Sequence, residues 1–167
     1  MKTIKAKPIS YSPAKRKRTD VKYIVIHYTA GNGDTAVNNG NYFKNVNTRY
    51  AGAHFFVDQR GDIVKSIPLN REAWAVGGAM YTNTKGGKYY RRCTNFNSVS
   101  IELCDNLAKD PSRAQIRAVR KVIKYIKRFC PNAKTIIRHY DVTGKMCPAR
   151  MVDELKWKKF LKGINAI

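Results

Sequence analysis

His27, His139 and Cys147 are the residues of this chain best suited to chemistry. Two neutral imidazoles and a thiolate form the ligand set of a catalytic zinc with one position left for water, and such a set points to hydrolysis. Cys147 follows His139 by eight residues, too far for one helical turn, and the intervening Asp141-Val142-Thr143-Gly144 reads as a loop able to fold both groups onto one point. His27 closes the apolar run Tyr23-Ile24-Val25-Ile26, which reads as a buried strand and places the imidazole at a strand end. Taken singly, a histidine after such a run is more often a packed side chain, and a lone cysteine a small buried hydrophobe. The chain holds only three histidines, however, and two of them adjoin strand ends.

Several elements must position these groups. Thr135-Ile136-Ile137-Arg138 reads as a strand that delivers His139, and Ser98–Cys104 as a strand with Val99, Ile101 and Leu103 on one face and Glu102 on the other. The clearest helix runs from a Ser112 cap to about Cys130. Ile116, Val119, Ile123, Ile126 and Cys130 form its apolar stripe, while arginines and lysines occupy much of the remainder. A turn at Gly31–Asp34 precedes a short helix over Ala36–Val46. Ala51–Asp58 reads as a strand that returns through Gln59–Asp62 into Ile63–Pro68 as a hairpin. Residues 77–97 lack periodicity and read as a long loop, of a length that is usually functional or mobile, and Asp153–Leu161 as a closing helix. This order predicts an α/β fold, a single domain with a central mixed β-sheet flanked by α-helices. Residues 1–19, with Lys15-Arg16-Lys17-Arg18, read as a basic N-terminal arm, a solvated tail ahead of a domain spanning 20–167.

At 167 residues the chain suffices for one domain with a substantial core. Its 33 Lys+Arg against 11 Asp+Glu leave a net charge of +22, a surplus suited to a polyanion: nucleic acid, acidic lipid or an anionic wall polymer. Cys93, Cys104, Cys130 and Cys147 form no Cys-x-x-Cys pair, which excludes a zinc ribbon and a thioredoxin-type redox pair. No stretch of transmembrane length is present, and the basic start lacks the apolar run of a signal peptide, so cytoplasmic synthesis is expected.

Four segments together carry a resemblance: Ile24-Val25-Ile26-His27-Tyr28-Thr29-Ala30, Gly52-Ala53-His54-Phe55, Asn97-Ser98-Val99-Ser100-Ile101-Glu102, and His139 through Cys147-Pro148. In order and context they resemble the zinc-dependent N-acetylmuramoyl-L-alanine amidases of the phage lysozyme and peptidoglycan-recognition-protein superfamily. The resemblance covers roughly residues 20–162. It implies one Zn²⁺ held by His27, His139 and Cys147, and cleavage of the amide between N-acetylmuramic acid and the L-alanine of the peptide stem. Lys145 and Glu102 fall where members keep catalytic residues, Lys145 beside the oxyanion and Glu102 as proton carrier. Glu102 could instead be a surface-facing strand residue, and Lys145 one lysine among many. Ala53 stands where phage lysozyme members have a catalytic tyrosine, which places more weight on Glu102. Tyr28 and Thr29 are expected to line the cleft, and His54 to donate to it or wall it.

The resulting expectation is a phage or prophage endolysin, a monomer that acts on peptidoglycan after release to the cell wall and is drawn to anionic wall polymers by charge. No stable nucleic-acid partner and no membrane association are expected. The alternatives are a non-catalytic peptidoglycan-binding protein of the same fold, and a basic nucleic-acid-binding protein.

Overall fold

Strand β3 (Tyr23–Tyr28) sits between two parallel neighbours in the computed structural model, which describes residues 1–167. In chain order the elements are β1 (Lys2–Thr3), β2 (Tyr11–Lys15), β3, α1 (Ala36–Asn45), β4 (Phe55–Val57), β5 (Ile63–Lys65), β6 (Arg71–Ala73), β7 (Ser98–Leu103), α2 (Arg113–Phe129), β8 (Thr135–Arg138), α3 (His139–Thr143) and α4 (Glu154–Gly163). Six strands form one sheet in the order β1-β5-β4-β7-β3-β8; β5 runs antiparallel to β4, and the β4-β7-β3-β8 block is parallel. The anticipated mixed sheet flanked by helices is therefore present. No helix is long and apolar enough to cross a membrane.

Alternation along the strands divides the core into two layers. Ile24, Ile26, Phe55, Val57, Val99, Ile101 and Leu103 pack beneath Val119, Val122 and Ile126 of α2 and Trp157 and Phe160 of α4. On the opposite face, Phe56 and Val64 meet Ala36 of α1 and Ile4, while Val25 and Ile137 meet Val76, Cys93 and Val142. The helices begin at side-chain caps. Thr35 accepts from Asn38 N, Ser112 from Gln115 N and Asp153 from Lys156 N, each satisfying a backbone donor that the first turn leaves unpaired.

Three expectations change. Residues 1–19 are not a solvated arm: β1 pairs with β5, β2 pairs with β6, and Ile4, Ala6, Ser10 and Arg16 are buried. The strand expected over 51–58 shortens to Phe55–Val57, because Gly52 leaves the sheet and packs where any Cβ would lie 2.5 Å from Ser10 O. The apolar stripe of α2 widens to take in Ala118 and Val122, with Val119, Ile123, Ile126 and the capping Cys130 buried in the same core and Ile116 packed against it.

Arg16 explains how so cationic a segment can be internal. Its Nε donates to Leu69 O at 3.2 Å, and its Nη1 donates to Asn95 O at 2.8 Å and to Phe96 O. Asn95 in turn accepts the Ala75 and Val76 N–H groups on its Oδ1, so one guanidinium ties β2 to the long loop. Replacing Arg16 with alanine leaves three carbonyls without this donor, and the expected loss is roughly 3 kcal/mol. Thermal unfolding should then start from a midpoint lowered by about 6–12 °C; an unchanged midpoint would restore the picture of a solvated arm.

Candidate metal centre

β3 ends at the rim of a cleft of about 830 Å³ lined by His27, Tyr28, Glu102, His139, Lys145 and Cys147, among others. His27 and Glu102 are direct partners in the parallel β3–β7 register, so their side chains rise side by side from one face of the sheet. The remaining groups arrive through local folding at the end of β8. Instead of the anticipated loop, residues 139–143 form the one-turn helix α3. Arg138 clamps its start: Nε and Nη2 bind the two carboxylate oxygens of Asp141 at 3.0 and 2.7 Å, and Asp141 also accepts the Arg138 backbone N–H. Such a bidentate pair fixes orientation as well as position.

Gly144 closes α3 with φ of +79°, a conformation that favours glycine. The chain then doubles back until Tyr140 N donates to Cys147 O at 2.8 Å, which overcomes the eight-residue separation and returns the thiol to the start of α3. The Cys147 Sγ lies 3.8 Å from His27 Nδ1, and the His27 and His139 ring centroids are 4.7 Å apart.

One donor atom from each of His27, His139 and Cys147 lies within 4.8 Å of the others, and all three residues are buried. A single ion bonded at roughly 2.0–2.3 Å to each donor requires only a small inward rotation of these side chains. The Nε2 atoms of both imidazoles are buried without a hydrogen-bond partner. Burial holds His27 well below the usual imidazole range, assisted by His139 and the Lys145 ammonium. Burial and then Lys145 bring His139 down to about 4. Both rings are thus neutral at physiological pH, the form that ligates metal. Burial pushes the Cys147 thiol up to about 12, with Glu102 acting in the same direction; a cation at this point reverses that preference. The donor set fits a metal ion.

Glu102 is half-buried, with Oε2 enclosed and unpaired. Burial raises its carboxyl to about 7, against the pull of Lys145 and with repulsion from Asp34. Lys145 is exposed on the cleft wall, where its charge acts on both imidazoles, Glu102 and Cys147. Tyr28 lines the cleft as expected, but Thr29 does not. The Thr29 hydroxyl donates instead to Asp34 Oδ2 at 2.7 Å, and Asp34 also accepts from Asn39 Nδ2 and Asp105 N, which stitches the turn after β3 to α1 and β7.

His54 is likewise not a cleft residue. It is buried, with Nδ1 accepting from Ser100 N at 3.1 Å and Nε2 lying 3.0 Å from Arg71 O and 3.2 Å from Arg16 Nη2. Burial and the Arg16 charge lower it to about 3, so it remains neutral and structural. A short hydrophobic strand and its small neighbours made it resemble a site residue; the buried guanidinium beside it was not evident from local sequence.

Sequence reasoning did not anticipate the far wall, formed by Tyr50, Gly52, Trp74, Met80 and Tyr81. Tyr50 is 80% exposed, and the Trp74 indole N–H is buried without a partner. Tyr81, exposed within the Gly- and Asn-rich loop, was the one available signal; Tyr50 and Trp74 come from elsewhere in the chain.

The N-acetylmuramoyl-L-alanine amidase family profile matches residues 17–150. N-acetylmuramoyl-L-alanine amidase CwlL of Bacillus licheniformis is 33% identical over 159 residues, which cover 90% of this chain and 42% of that protein. N-acetylmuramoyl-L-alanine amidase BlyA of Bacillus subtilis is 34% identical over 81% of this chain and 38% of its own length. The chain therefore spans less than half the length of these two curated relatives. Among solved structures, PlyL is 25% identical with a TM-score of 0.75, covering 98% of this chain and 96% of its own. The catalytic domain of XlyA shares the fold at a TM-score of 0.73 and 24% identity, over 98% of this chain and 97% of its own.

The protonation states define how metal affinity depends on pH. Between pH 5.5 and 6.5 the neutral imidazoles release no proton on binding, whereas Cys147 releases one. In Glu102→Gln, which removes the nearby carboxyl from the titration, log affinity should rise by about one per pH unit in a chelator-competition measurement. A slope of about three means that the imidazoles are protonated in the free site, and a slope of zero means that Cys147 is not a ligand.

Proposed function

The chain belongs to the N-acetylmuramoyl-L-alanine amidase family, and on that premise we propose that it is a zinc-dependent peptidoglycan amidase of the endolysin type. The reaction is hydrolysis of the amide between the lactyl group of N-acetylmuramic acid and L-alanine. The observation that carries this reading is the convergence of His27, His139 and Cys147 to within 4.8 Å in an open cleft that also holds Glu102 and Lys145.

His27, His139 and Cys147 would hold one Zn²⁺, which when bound supplies Lewis-acid chemistry: a more acidic water and a polarised carbonyl. Glu102 is the proton carrier. Its enclosed Oε2 takes the proton of the attacking water and delivers it to the departing amine of L-alanine as the C–N bond breaks. An affinity for protons near neutrality, produced by burial, suits a group that must both accept and return one. The Lys145 ammonium offsets the negative charge that develops on the carbonyl oxygen. The cleft is large enough for sugar and stem peptide together, and its aromatic far wall offers Tyr50, Trp74 and Tyr81 to the apolar faces of either.

The expected site of action is the bacterial wall, with the protein working as a monomer. Purified peptidoglycan incubated with the protein should yield fragments carrying new L-alanine amino termini, identified by mass spectrometry, and chelation should abolish them. Glu102→Gln should retain stoichiometric metal while kcat falls by roughly 10²–10⁴, and Lys145→Met should lower kcat by about 10² or more. Full metal content with no new amino termini from the unmodified protein would identify a peptidoglycan-binding protein that does not cut.

A further inference from the structure

The outer face of α2 carries a charge pattern that the cleft does not use. Arg113, Arg117, Lys121, Lys124 and Arg128 are exposed and follow one another at intervals of four, four, three and four residues, which aligns them along one side of the helix. At 1.5 Å per residue the line is about 22 Å long. The seventeen residues of α2 include no Asp or Glu, and none of these five cations belongs to an ion pair. Like charges three and four residues apart weaken a helix, and cations in its first turn oppose the helix dipole. An ordinary solvated face mixes signs. Here stability is given up for a continuous cationic edge.

The stripe and the cleft lie on opposite sides of the molecule's sheet. Phe55 and Val57 pack under α2, whereas Phe56 and the His27–Glu102 pair belong to the other face. A polymer on the stripe leaves the cleft open. The neighbouring helix α4, joined to α2 through Arg120 and Gly163 O, exposes Lys158, Lys159 and Lys162 and widens the positive surface.

The chemistry of the stripe selects among polyanions. An advance of four residues is about 6 Å, a spacing that suits the successive phosphates of an extended phosphodiester chain of any kind. Base recognition needs aromatic platforms or amides, and the stripe has neither. Tyr125 packs against Phe55 and Phe129, the Phe129 ring is covered by the guanidinium groups of Arg18 and Arg128 and so offers no free face to a base, and the sole amide of α2, Gln115, is buried and donates to Val57 O and Cys104 O. We propose that the outer face of α2 is a docking surface for phosphodiester polymers of the bacterial wall, holding the protein at its substrate while the opposite face cuts. The choice of a wall polymer rests on the amidase reading; the existence of the surface does not.

The test uses the full chain and soluble poly(glycerol phosphate), with binding measured calorimetrically across a series of salt concentrations. Five phosphate contacts predict a slope of log affinity against log salt of about −3.5, by analogy with a single-stranded polyanion. Arg117→Gln/Lys121→Gln/Lys124→Gln should weaken binding and make that slope shallower by about 2. The same triple variant should cleave a soluble muropeptide at the unmodified rate and melt no earlier, since it relieves repulsion. The control Lys2→Gln/Lys5→Gln/Lys44→Gln removes equal charge from the β1 edge and α1 and should retain the original slope.

Equal losses in both triple variants would reduce the effect to net charge and overturn the docking surface, as would a slope near zero. Tighter, stripe-dependent binding of DNA with the same number of phosphates would replace the wall polymer with nucleic acid. Should the polymer bind through the stripe while the muropeptide stays intact, the amidase reading fails and the docking surface stands.

Discussion

Drawing two imidazoles and a thiol together inside a protein works against folding, because buried nitrogens without partners lose their hydration. This fold accepts that arrangement at the end of β3, and much of the surrounding architecture reads as the means of enforcing it. β3 is paired on both sides, so His27 extends from a strand held by two neighbours and is itself in register with Glu102. His139 and Cys147 are less securely founded, being on a one-turn helix and a short return loop, and they depend on the Arg138–Asp141 pair and the Tyr140–Cys147 backbone bond. Arg138 is itself secured by Met151 O and Glu154, so α4 contributes to ligand geometry without approaching the cleft.

Electrostatics at the centre is asymmetric. Burial and the Lys145 ammonium both favour neutral imidazoles, which suits metal binding. The same burial disfavours the thiolate, and Glu102 adds to the effect. A nearby dication resolves this conflict by stabilising the thiolate directly. The imidazoles are therefore prepared in advance by the protein, while the sulfur would be prepared by the ion proposed to bind there.

The extent to which this was legible in sequence follows the range of the interactions. β3, β7, β8 and α2 declared themselves because short apolar runs, strand alternation and a 3.6-residue stripe are local properties. Residue type alone brought His27, His139 and Cys147 forward, and the amidase resemblance added Glu102 and Lys145; the structure gathers all five around one cleft. The N-terminal segment was misread because its basic run resembles a solvated tail, whereas Arg16 is satisfied by carbonyls 53 to 80 residues away. β1 and β6 are too short to show a pattern, β2 is interrupted by Pro13 and carries no apolar run, and the pairings of all three are nonlocal. Thr29 and His54 failed as cleft residues for a related reason: Asp34 and Arg16, which engage them, are partners recognisable only after folding.

The strand alternation that builds the core also separates two electrostatic tasks. On one face of the sheet, a half-buried carboxyl, a single lysine and neutral imidazoles meet in a cleft where each charge acts over a few ångströms. On the other, α2 and α4 expose cations to water, where screening at physiological salt restricts attraction to roughly 8 Å. The shifts of Glu102, His27 and His139 arise from burial and from near neighbours such as Lys145, Asp34 and His139, none of which lies on α2 or α4. The carboxyl proposed as proton carrier is thus set by its own cleft, in a chain whose net charge is +22.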